Sequence, residues 1–296
     1  MLNQGMAAVR EFLAVYPDMT KTPIEEIRVL MDQFSTLFPV ADGIAVDPVN
    51  ADGVPGEWVT APGARKDAAI LYLHGGGYVL GSPDSHRHLV AALSEEASAA
   101  VLSLRYRLAP EHPFPAAVED AVTGYRWLLA QGFTPARIGI AGDSAGGGLA
   151  VATLLALRDA RDPRPATGIC LSPWVDLTCS ARSYPDKADA DPMVQQQGVL
   201  LFASQYLQGK DPKTPLASPL FADLKGLPPL LIHVGSEEVL LDDAIGLDTK
   251  AREAQVDSVL EIWEGMIHVW HVFHPMLKEG RDAIRRIGEH FKSRIS

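Results

Sequence analysis

The chain has 296 residues, of which 47% are hydrophobic, 7% aromatic and 21% charged, and this composition excludes a disordered protein. With 26 Lys and Arg against 37 Asp and Glu the net charge is -11, which argues against a nucleic-acid partner. No uncharged apolar run reaches the roughly 18 residues of a membrane span, and no basic leader precedes an apolar stretch. We therefore expect a soluble, cytoplasmic protein without a membrane span.

Two short helices are predicted at the N-terminus, because apolar residues recur there at helical spacing. The first pattern runs through Val9, Phe12, Leu13 and Tyr16, and the second starts at Thr22-Pro23 and continues through Ile24, Ile27, Leu30 and Phe34. Residues 44–49 and 57–60 then predict two paired strands joined by a Gly/Pro turn.

Strand-like apolar runs alternate with helix-length segments in most of the remaining chain. The strands are predicted at 68–73, 100–104, 137–141, 167–171, 230–234 and 259–263, and the helices at 84–97, 115–130, 145–158 and 241–254, with a last one near 281–292. This alternation indicates an α/β fold with a mostly parallel central sheet and helices on both faces. In such sheets ligands bind beyond the carboxyl ends of the strands.

One long segment, between Leu171 and Leu230, interrupts this alternation. It contains no strand pattern and shows a helical pattern only around 199–206. Long insertions at the carboxyl end of a strand are usually functional lids. We therefore predict a helical cap made of residues 1–42 and 178–215, over a catalytic domain made of residues 43–177 and 216–296.

A G-x-S-x-G pentapeptide at 142–146 lies between a predicted strand and a predicted helix. A sharp turn at this place lifts the hydroxyl of Ser144 clear of the sheet, and the small flanking residues allow the tight backbone path. The alternative is that Ser144 only caps the helix. The strand-turn-helix context favours a nucleophile.

Three successive glycines follow His74 at the end of a predicted strand. Backbone N–H groups without side chains beside them can stabilise the negative charge that develops on a carbonyl oxygen during acyl transfer. We predict an oxyanion hole from Gly75, Gly76, Gly77 and Ala145, and among the glycines we favour Gly76 and Gly77. A flexible glycine turn is the alternative.

A serine nucleophile needs a base, and nine histidines compete for that role. His268 lies on the loop just after the last predicted strand, where it can face Ser144. His233 lies inside an apolar strand and is interpreted as a core residue. His271 and His274 follow His268 at three-residue intervals, but no carboxylate or cysteine sits at ligand spacing, so no metal site is predicted.

The base in turn needs a carboxylate that orients it. Four acidic residues follow the penultimate predicted strand, namely Glu237, Glu238, Asp242 and Asp243. Spacing alone does not select one of them. The three that do not orient the base have another explanation: acidic side chains are favoured in the first turn of the following helix by its dipole.

Together these motifs resemble those of the bacterial hormone-sensitive-lipase family of α/β-hydrolases. The shared motifs are HGGGY at 74–78, YRLAPEHPFPAAVEDA at 106–121, GDSAGG at 142–147, DPM at 191–193 and the GMIH that ends at His268. The family carries its triad in the order Ser, acid, His, and commonly has a D-x-L-x-D stretch whose first Asp is the acid. Here Glu238 occupies that position, and Asp242 is the second choice.

The resemblance implies a carboxylesterase that hydrolyses short- to medium-chain acyl esters through Ser144, His268 and Glu238, without a metal or organic cofactor. It further implies that Tyr78 and Asp143 lie at the substrate pocket. Other acyl chemistry, such as amide, lactone or thioester hydrolysis, uses the same apparatus. A binding protein is the alternative, because the fold serves as a plant hormone receptor where the triad is incomplete. Family members often pair through edge strands or helices, so a homodimer is a further expectation.

Overall fold

A twisted sheet forms the centre of the protein, whose computed structural model describes residues 4–14, 22–33 and 37–295. Within these residues the strands are β1 (Ala45–Ala51), β2 (Val54–Thr60), β3 (Arg65–Leu73), β4 (Ala99–Leu104), β5 (Ile138–Asp143), β6 (Thr167–Leu171), β7 (Leu230–Gly235) and β8 (Ser258–Trp263). Their spatial order is β1-β2-β4-β3-β5-β6-β7-β8. The pairs β1–β2 and β2–β4 are antiparallel and the others are parallel, which confirms the mostly parallel sheet.

The helices were also predicted close to their observed positions. They are α1 (Gln4–Leu13), α2 (Ile24–Asp32), α3 (Pro83–Ala97), α4 (Ala116–Ala130), α5 (Ala145–Asp159), α6 (Ser183–Asp186), α7 (Gln196–Leu207), α8 (Leu241–Glu253) and α9 (Lys278–Arg294). Of the residues in the two N-terminal patterns, Tyr16 and Phe34 lie outside the described residues. The sequence pattern missed the four-residue helix α6. No helix in the described ranges is both long and apolar enough to cross a membrane.

Helices cover both faces of the sheet because alternate strand residues point to opposite sides. On β3, Ala69, Leu71 and Leu73 pack into the core beneath α4, α5 and α8. Their neighbours Ala68, Ile70 and Tyr72 pack into a second core with α3 and α9. Because both faces are buried, the central strands β5, β6 and β7 are buried along their whole length. This double burial explains their nearly continuous apolar sequences.

The two N-terminal helices pack on the carboxyl-end side of the sheet. Met6 and Val9 of α1 pack against Trp270 and Phe273, which follow β8. The guanidinium of Arg28 on α2 donates hydrogen bonds of 2.8 Å to each of two backbone carbonyl oxygens, those of Val79 and Ala109. Both helices therefore contact the loops that leave the strands.

Gly146 lies in the first turn of α5, where this helix starts against the end of β3. A Cβ atom at Gly146 would overlap the carbonyl oxygen of Leu73 and lie 2.5 Å from that of His74. We expect the substitution Gly146→Ala to lower the free energy of unfolding by about 3 kcal/mol, because neither backbone can retreat without moving its strand or helix.

Gly198→Ala is the matched control for this prediction. A Cβ atom at Gly198, on α7, meets no heavy atom of the described residues within 4 Å. This substitution should leave the free energy of unfolding unchanged or raise it by up to about 1 kcal/mol. Denaturant titration of the two variants measures the difference, and equal stabilities would contradict the close approach at Gly146.

Candidate active site

A cavity of about 370 Å³ lies beyond the carboxyl ends of the parallel strands. Ser144, His268, Gly76 and Gly77 line it on the side of the sheet. Its opposite walls are mostly apolar and come from both N-terminal helices and from the segment between β6 and β7, through Leu13, Met31, Pro192, Met193, Val194, Gln195, Gly198, Val199 and Phe202. The cavity therefore joins polar groups at the strand ends to an apolar enclosure, as in most small-molecule sites.

Ser144 occupies a strained turn between β5 and α5. Its φ of 53° and ψ of -121° lie outside the regions that non-glycine residues normally adopt. The turn is held by the Ser144 N–H, which donates to Leu171 O at 2.8 Å, and by the Ser144 carbonyl, which accepts from Gly148 N and Trp174 N. This turn presents Ser144 to the cavity, which the residue lines.

His268 and Glu238 form a buried pair next to this serine. The distance from His268 Nδ1 to Glu238 Oε2 is 2.7 Å, and the Glu238 side chain is fully buried. The other carboxylate oxygen, Oε1, accepts hydrogen bonds from the Ser172 hydroxyl at 2.8 Å and from Gly235 N at 2.6 Å. The carboxylate is thus fixed while one of its oxygens holds the imidazole.

The charges around His268 favour its protonated form. Burial alone lowers the pKa of this imidazole, but the hydrogen bond and the negative charge of Glu238 outweigh that effect, and Asp191 and Asp143 add to them. The pKa of His268 therefore lies above its ordinary value. Such an environment stabilises an imidazolium that forms when the ring takes up a proton.

The other three acidic candidates contact groups other than His268. Asp242 accepts from Ser183 N at 2.8 Å. Asp243 accepts from two successive backbone N–H groups of the loop after β6, and its burial raises the pKa of its carboxyl well above the usual range. Glu237 lies 3.9 Å from the ammonium group of Lys187. Among the four, Glu238 is the carboxylate hydrogen-bonded to His268.

The loop after β3 that contains Gly75, Gly76 and Gly77, here called the glycine loop, contributes free N–H groups to the cavity. Gly76 and Gly77 have φ of 113° and 63°, a backbone region that favours glycine. In the described part of the chain, the N–H groups of Gly76, Gly77 and Ala145 donate to no protein acceptor. Gly75 differs from the expectation, because its N–H already donates to Asp143 Oδ1 at 3.0 Å. We therefore do not include Gly75 among the candidate oxyanion donors.

Asp143 lines the cavity, and it also anchors the glycine loop. Its Oδ1 accepts from the Tyr72 hydroxyl at 2.7 Å in addition to Gly75 N, and its Oδ2 lies 3.2 Å from His86 Nε2. Burial opposes ionisation of this carboxyl, but the charge and hydrogen bond of His86 outweigh burial and lower the Asp143 pKa. The same contacts raise the pKa of His86. The hydrogen-bonded pair of Asp143 and His86 therefore holds the base of the loop.

Tyr78 was expected at the substrate pocket, but it does not line the cavity. Its ring is buried and stacks on Tyr206 with a centroid distance of 3.9 Å, and neither ring lines the cavity in the described structure. Phe202 lines the cavity instead, and it packs so closely on Gly77 that a Cβ atom there would overlap its ring. The helical pattern around 199–206 marked α7 in the sequence, but that pattern does not show which of its residues face the site.

Two further histidines, His233 and His271, lie in contact with each other. His233 is buried, with Nδ1 3.2 Å from His271 Nε2 and Nε2 3.3 Å from Glu261, which confirms it as a core residue with partners. Burial lowers the pKa of His233 despite Glu261, and lowers that of His271 still further. The described ranges contain no cluster of three or more His, Cys, Asp or Glu side chains able to hold a metal ion.

Comparison with known proteins decides the family. The family model described as the α/β-hydrolase fold matches residues 70–272. The chain belongs to the α/β-hydrolase family. This hydrolase is 48% identical over 288 residues to the acetyl-hydrolase of Streptomyces hygroscopicus, with 97% of this chain and 96% of that protein covered.

Two solved structures show to which group of α/β-hydrolases this protein belongs. The crystal structure of EstE5 soaked with p-nitrophenyl butyrate has a TM-score of 0.95 at 52% identity and covers 99% of both chains. That of an esterase from the bacterial hormone-sensitive lipase family has a TM-score of 0.94 at 49% identity, covering 99% of this chain and 97% of the other. This hydrolase is therefore a member of the hormone-sensitive-lipase-like esterases, which confirms the resemblance seen in the motifs.

Proposed function

We propose that this hydrolase is a carboxylesterase that cleaves short- to medium-chain acyl esters through a triad of Ser144, His268 and Glu238. The observation that carries the proposal is the buried pair of Glu238 and His268, 2.7 Å apart, in the wall of the cavity that Ser144 also lines. A carboxylate, an imidazole and a serine at a strained strand-to-helix turn are the parts that acyl transfer by a serine requires.

In the proposed reaction His268 acts first as base and then as acid. Its Nε2 takes the proton from Ser144 Oγ while Oγ attacks the ester carbonyl carbon, and a tetrahedral intermediate forms. The intermediate collapses when His268 gives that proton to the departing alcohol, which leaves an acyl group on Ser144. Water, deprotonated by the same imidazole, then attacks the acyl carbonyl carbon. The bond from that carbon to Ser144 Oγ breaks, Oγ takes the proton back from His268, and the carboxylic acid leaves. Glu238 holds the imidazole in the required tautomer throughout.

The N–H groups of Gly76, Gly77 and Ala145 are the proposed oxyanion donors. None of them donates to an acceptor in the described ranges, and the two glycines line the cavity. Negative charge on the carbonyl oxygen in the intermediate can therefore be stabilised by donors that are already oriented. The described residues show no hydrogen bond between the Ser144 hydroxyl and His268. Bonds of this kind often tighten only when substrate is bound.

The size of the cavity supports a short acyl group. Its volume of about 370 Å³ lies near the lower end of the roughly 300–1,000 Å³ range of ligand sites. Phe202 packs directly over Gly77 and narrows the space next to one proposed oxyanion donor. The acetyl-hydrolase name of one relative and the butyrate ester soaked into another agree with this size.

We also propose that residues 1–42 and 178–215 act as a cap over the catalytic domain. Leu13 and Met31 from the first segment, and Val199 and Phe202 from the second, line the same cavity. These side chains supply apolar surface and no titratable group. Their role in the proposal is to exclude water and to bound the substrate.

A series of p-nitrophenyl esters from acetyl to palmitoyl tests the proposal. We expect the highest kcat/KM at acetyl to butyryl and a steep decline for longer chains, because the enclosure is small. Labelling with a fluorophosphonate should inactivate the enzyme. An enzyme that takes up the label but hydrolyses no ester of the series would have a working nucleophile and another substrate class, and a chain that does neither would contradict the proposal.

A further inference from the structure

A serine outside the proposed triad contacts both of its buried members. Ser172 follows β6 directly and is fully buried. Its hydroxyl donates a hydrogen bond to Glu238 Oε1 at 2.8 Å. Ser172 Oγ in turn accepts a hydrogen bond from Val269 N at 3.1 Å. Val269 is the residue after His268. One hydroxyl therefore joins the acid to the backbone that carries the base.

The backbone at Val269 needs such an anchor. Its φ of 46° and ψ of 43° place a β-branched residue in the left-handed region, where such residues are strained. Val269 is almost completely buried, so its N–H would remain without an acceptor if the hydroxyl were absent. The bond from Val269 N to Ser172 therefore supports the turn that presents His268 to the cavity.

Glu238 also depends on this hydroxyl for its orientation. A glutamate has one more rotatable bond than an aspartate, so more contacts are needed to fix its carboxylate. Oε1 has two donors, of which Gly235 N belongs to the rigid backbone of β7. In the described part of the chain, Ser172 and His268 are the side chains hydrogen-bonded to this carboxylate.

The backbone of Ser172 supports the same interpretation. Its φ is 46°, a value that suits glycine better than serine, and its N–H donates to His233 O on β7 at 2.7 Å. The chain therefore accommodates a strained side-chain-bearing residue at a place where glycine would be unstrained. The hydroxyl is what a glycine would lack.

We propose that Ser172 is a positioning residue for the ester hydrolysis proposed above, on which this inference rests. Its hydroxyl fixes the Glu238 carboxylate and the backbone after His268 in a single arrangement, so that acid and base stay aligned during turnover. Ser172 does not line the cavity in the described structure. Its removal should therefore affect kcat and leave substrate binding nearly unchanged.

The variants Ser172→Ala and Ser172→Gly test this inference. Both remove the hydroxyl, and the glycine variant also relieves the backbone strain, so it remains informative if the alanine variant folds poorly. Titration with a fluorophosphonate counts the competent active sites, and kcat per titrated site is then compared with that of the natural enzyme on p-nitrophenyl butyrate. We expect kcat to fall about 10- to 100-fold in both variants while KM changes less than about twofold.

Ser94→Ala is the matched control. Ser94 is fully buried, and its hydroxyl likewise donates one hydrogen bond, to Ala99 O at 2.7 Å, and accepts one from a backbone N–H, that of Ala61 at 2.9 Å. It does not line the cavity. This variant should lose stability and keep its kcat per titrated site.

Two results would overturn the inference. One is a kcat per titrated site in Ser172→Gly or Ser172→Ala that equals that of the natural enzyme, and the other is an equal loss in Ser94→Ala. Neither result affects the proposed function, which depends on whether Ser144→Ala abolishes hydrolysis. Activity that persists in Ser144→Ala would instead remove the proposed function and this inference with it.

Discussion

Replacing Ser144 with alanine should reduce kcat on p-nitrophenyl butyrate by about 10⁴-fold or more. The hydroxyl supplies the attacking atom, and the proposed oxyanion donors cannot form an acyl-enzyme without it. Alanine has the same Cβ atom, so it tolerates the φ of 53° as well as serine does. We therefore expect a folded protein whose circular dichroism spectrum and melting temperature match those of the natural enzyme.

Covalent labelling gives the control for this variant. The natural enzyme should take up one fluorophosphonate per chain, measured as a mass increase, and Ser144→Ala should take up none. The labelled peptide from the natural enzyme should contain residues 142–146. More than a tenth of the natural activity in Ser144→Ala, or a label on another residue, would show that the nucleophile is elsewhere.

The substitution Glu238→Gln should lower kcat by about 10³- to 10⁴-fold, the second-largest effect. The amide keeps the shape of the side chain, but it carries no charge to stabilise the imidazolium, and its NH₂ group can hold His268 in the wrong tautomer. Asp242→Asn is the matched control, because Asp242 lies four residues further on and its carboxylate binds Ser183 N instead. We expect this control to change kcat by about threefold at most.

The pH dependence of kcat/KM gives a second measurement on the same pair. Only neutral His268 can accept the proton of Ser144, so activity falls as the pH drops through the pKa of this imidazole. Because Glu238 raises that pKa, the acid limb in the natural enzyme should lie above the ordinary histidine value of about 6.5. In Glu238→Gln burial acts with less opposition, and the limb should move to lower pH. The role of Glu238 would be contradicted if the acid limb of Glu238→Gln lay at the same pH as that of the natural enzyme. Equal losses of kcat in Glu238→Gln and Asp242→Asn would also contradict it.

The strands of the sheet could be predicted in detail because each one is marked by an apolar run in its own sequence. Strand β6 begins and ends where its apolar run does, at Thr167 and Leu171, since helices bury both of its faces. The hairpin β1–β2 extends further than its apolar pattern, because Asp52 and Gly53, both with positive φ, close a two-residue turn. Helix α6 is a single turn, too short to produce a periodic pattern.

The acid of the site could not be chosen from spacing alone, because the choice is made by contacts between distant segments. Four carboxylates follow β7 within seven residues of sequence, and each has a partner in another segment of the chain. The resemblance to the family pointed to Glu238, and the structure then pairs this residue with His268. Ser172 was missed, although a small polar residue directly after a buried parallel strand is a usable signal for the site. The loop sequence also does not show that the Tyr78 ring is buried against Tyr206, because a loop has no periodicity that places its side chains.

The position of β8 in the chain determines when the proposed site can form during synthesis. It is the last strand in the chain, it pairs within the described sheet only with β7, and His268 follows it. Because synthesis proceeds from the N-terminus, the nucleophile and the glycine loop emerge from the ribosome well before the proposed base. A nascent chain therefore carries Ser144 without a partner that could activate it. If His268 is the base, as proposed, ester cleavage requires that this last strand has docked against β7.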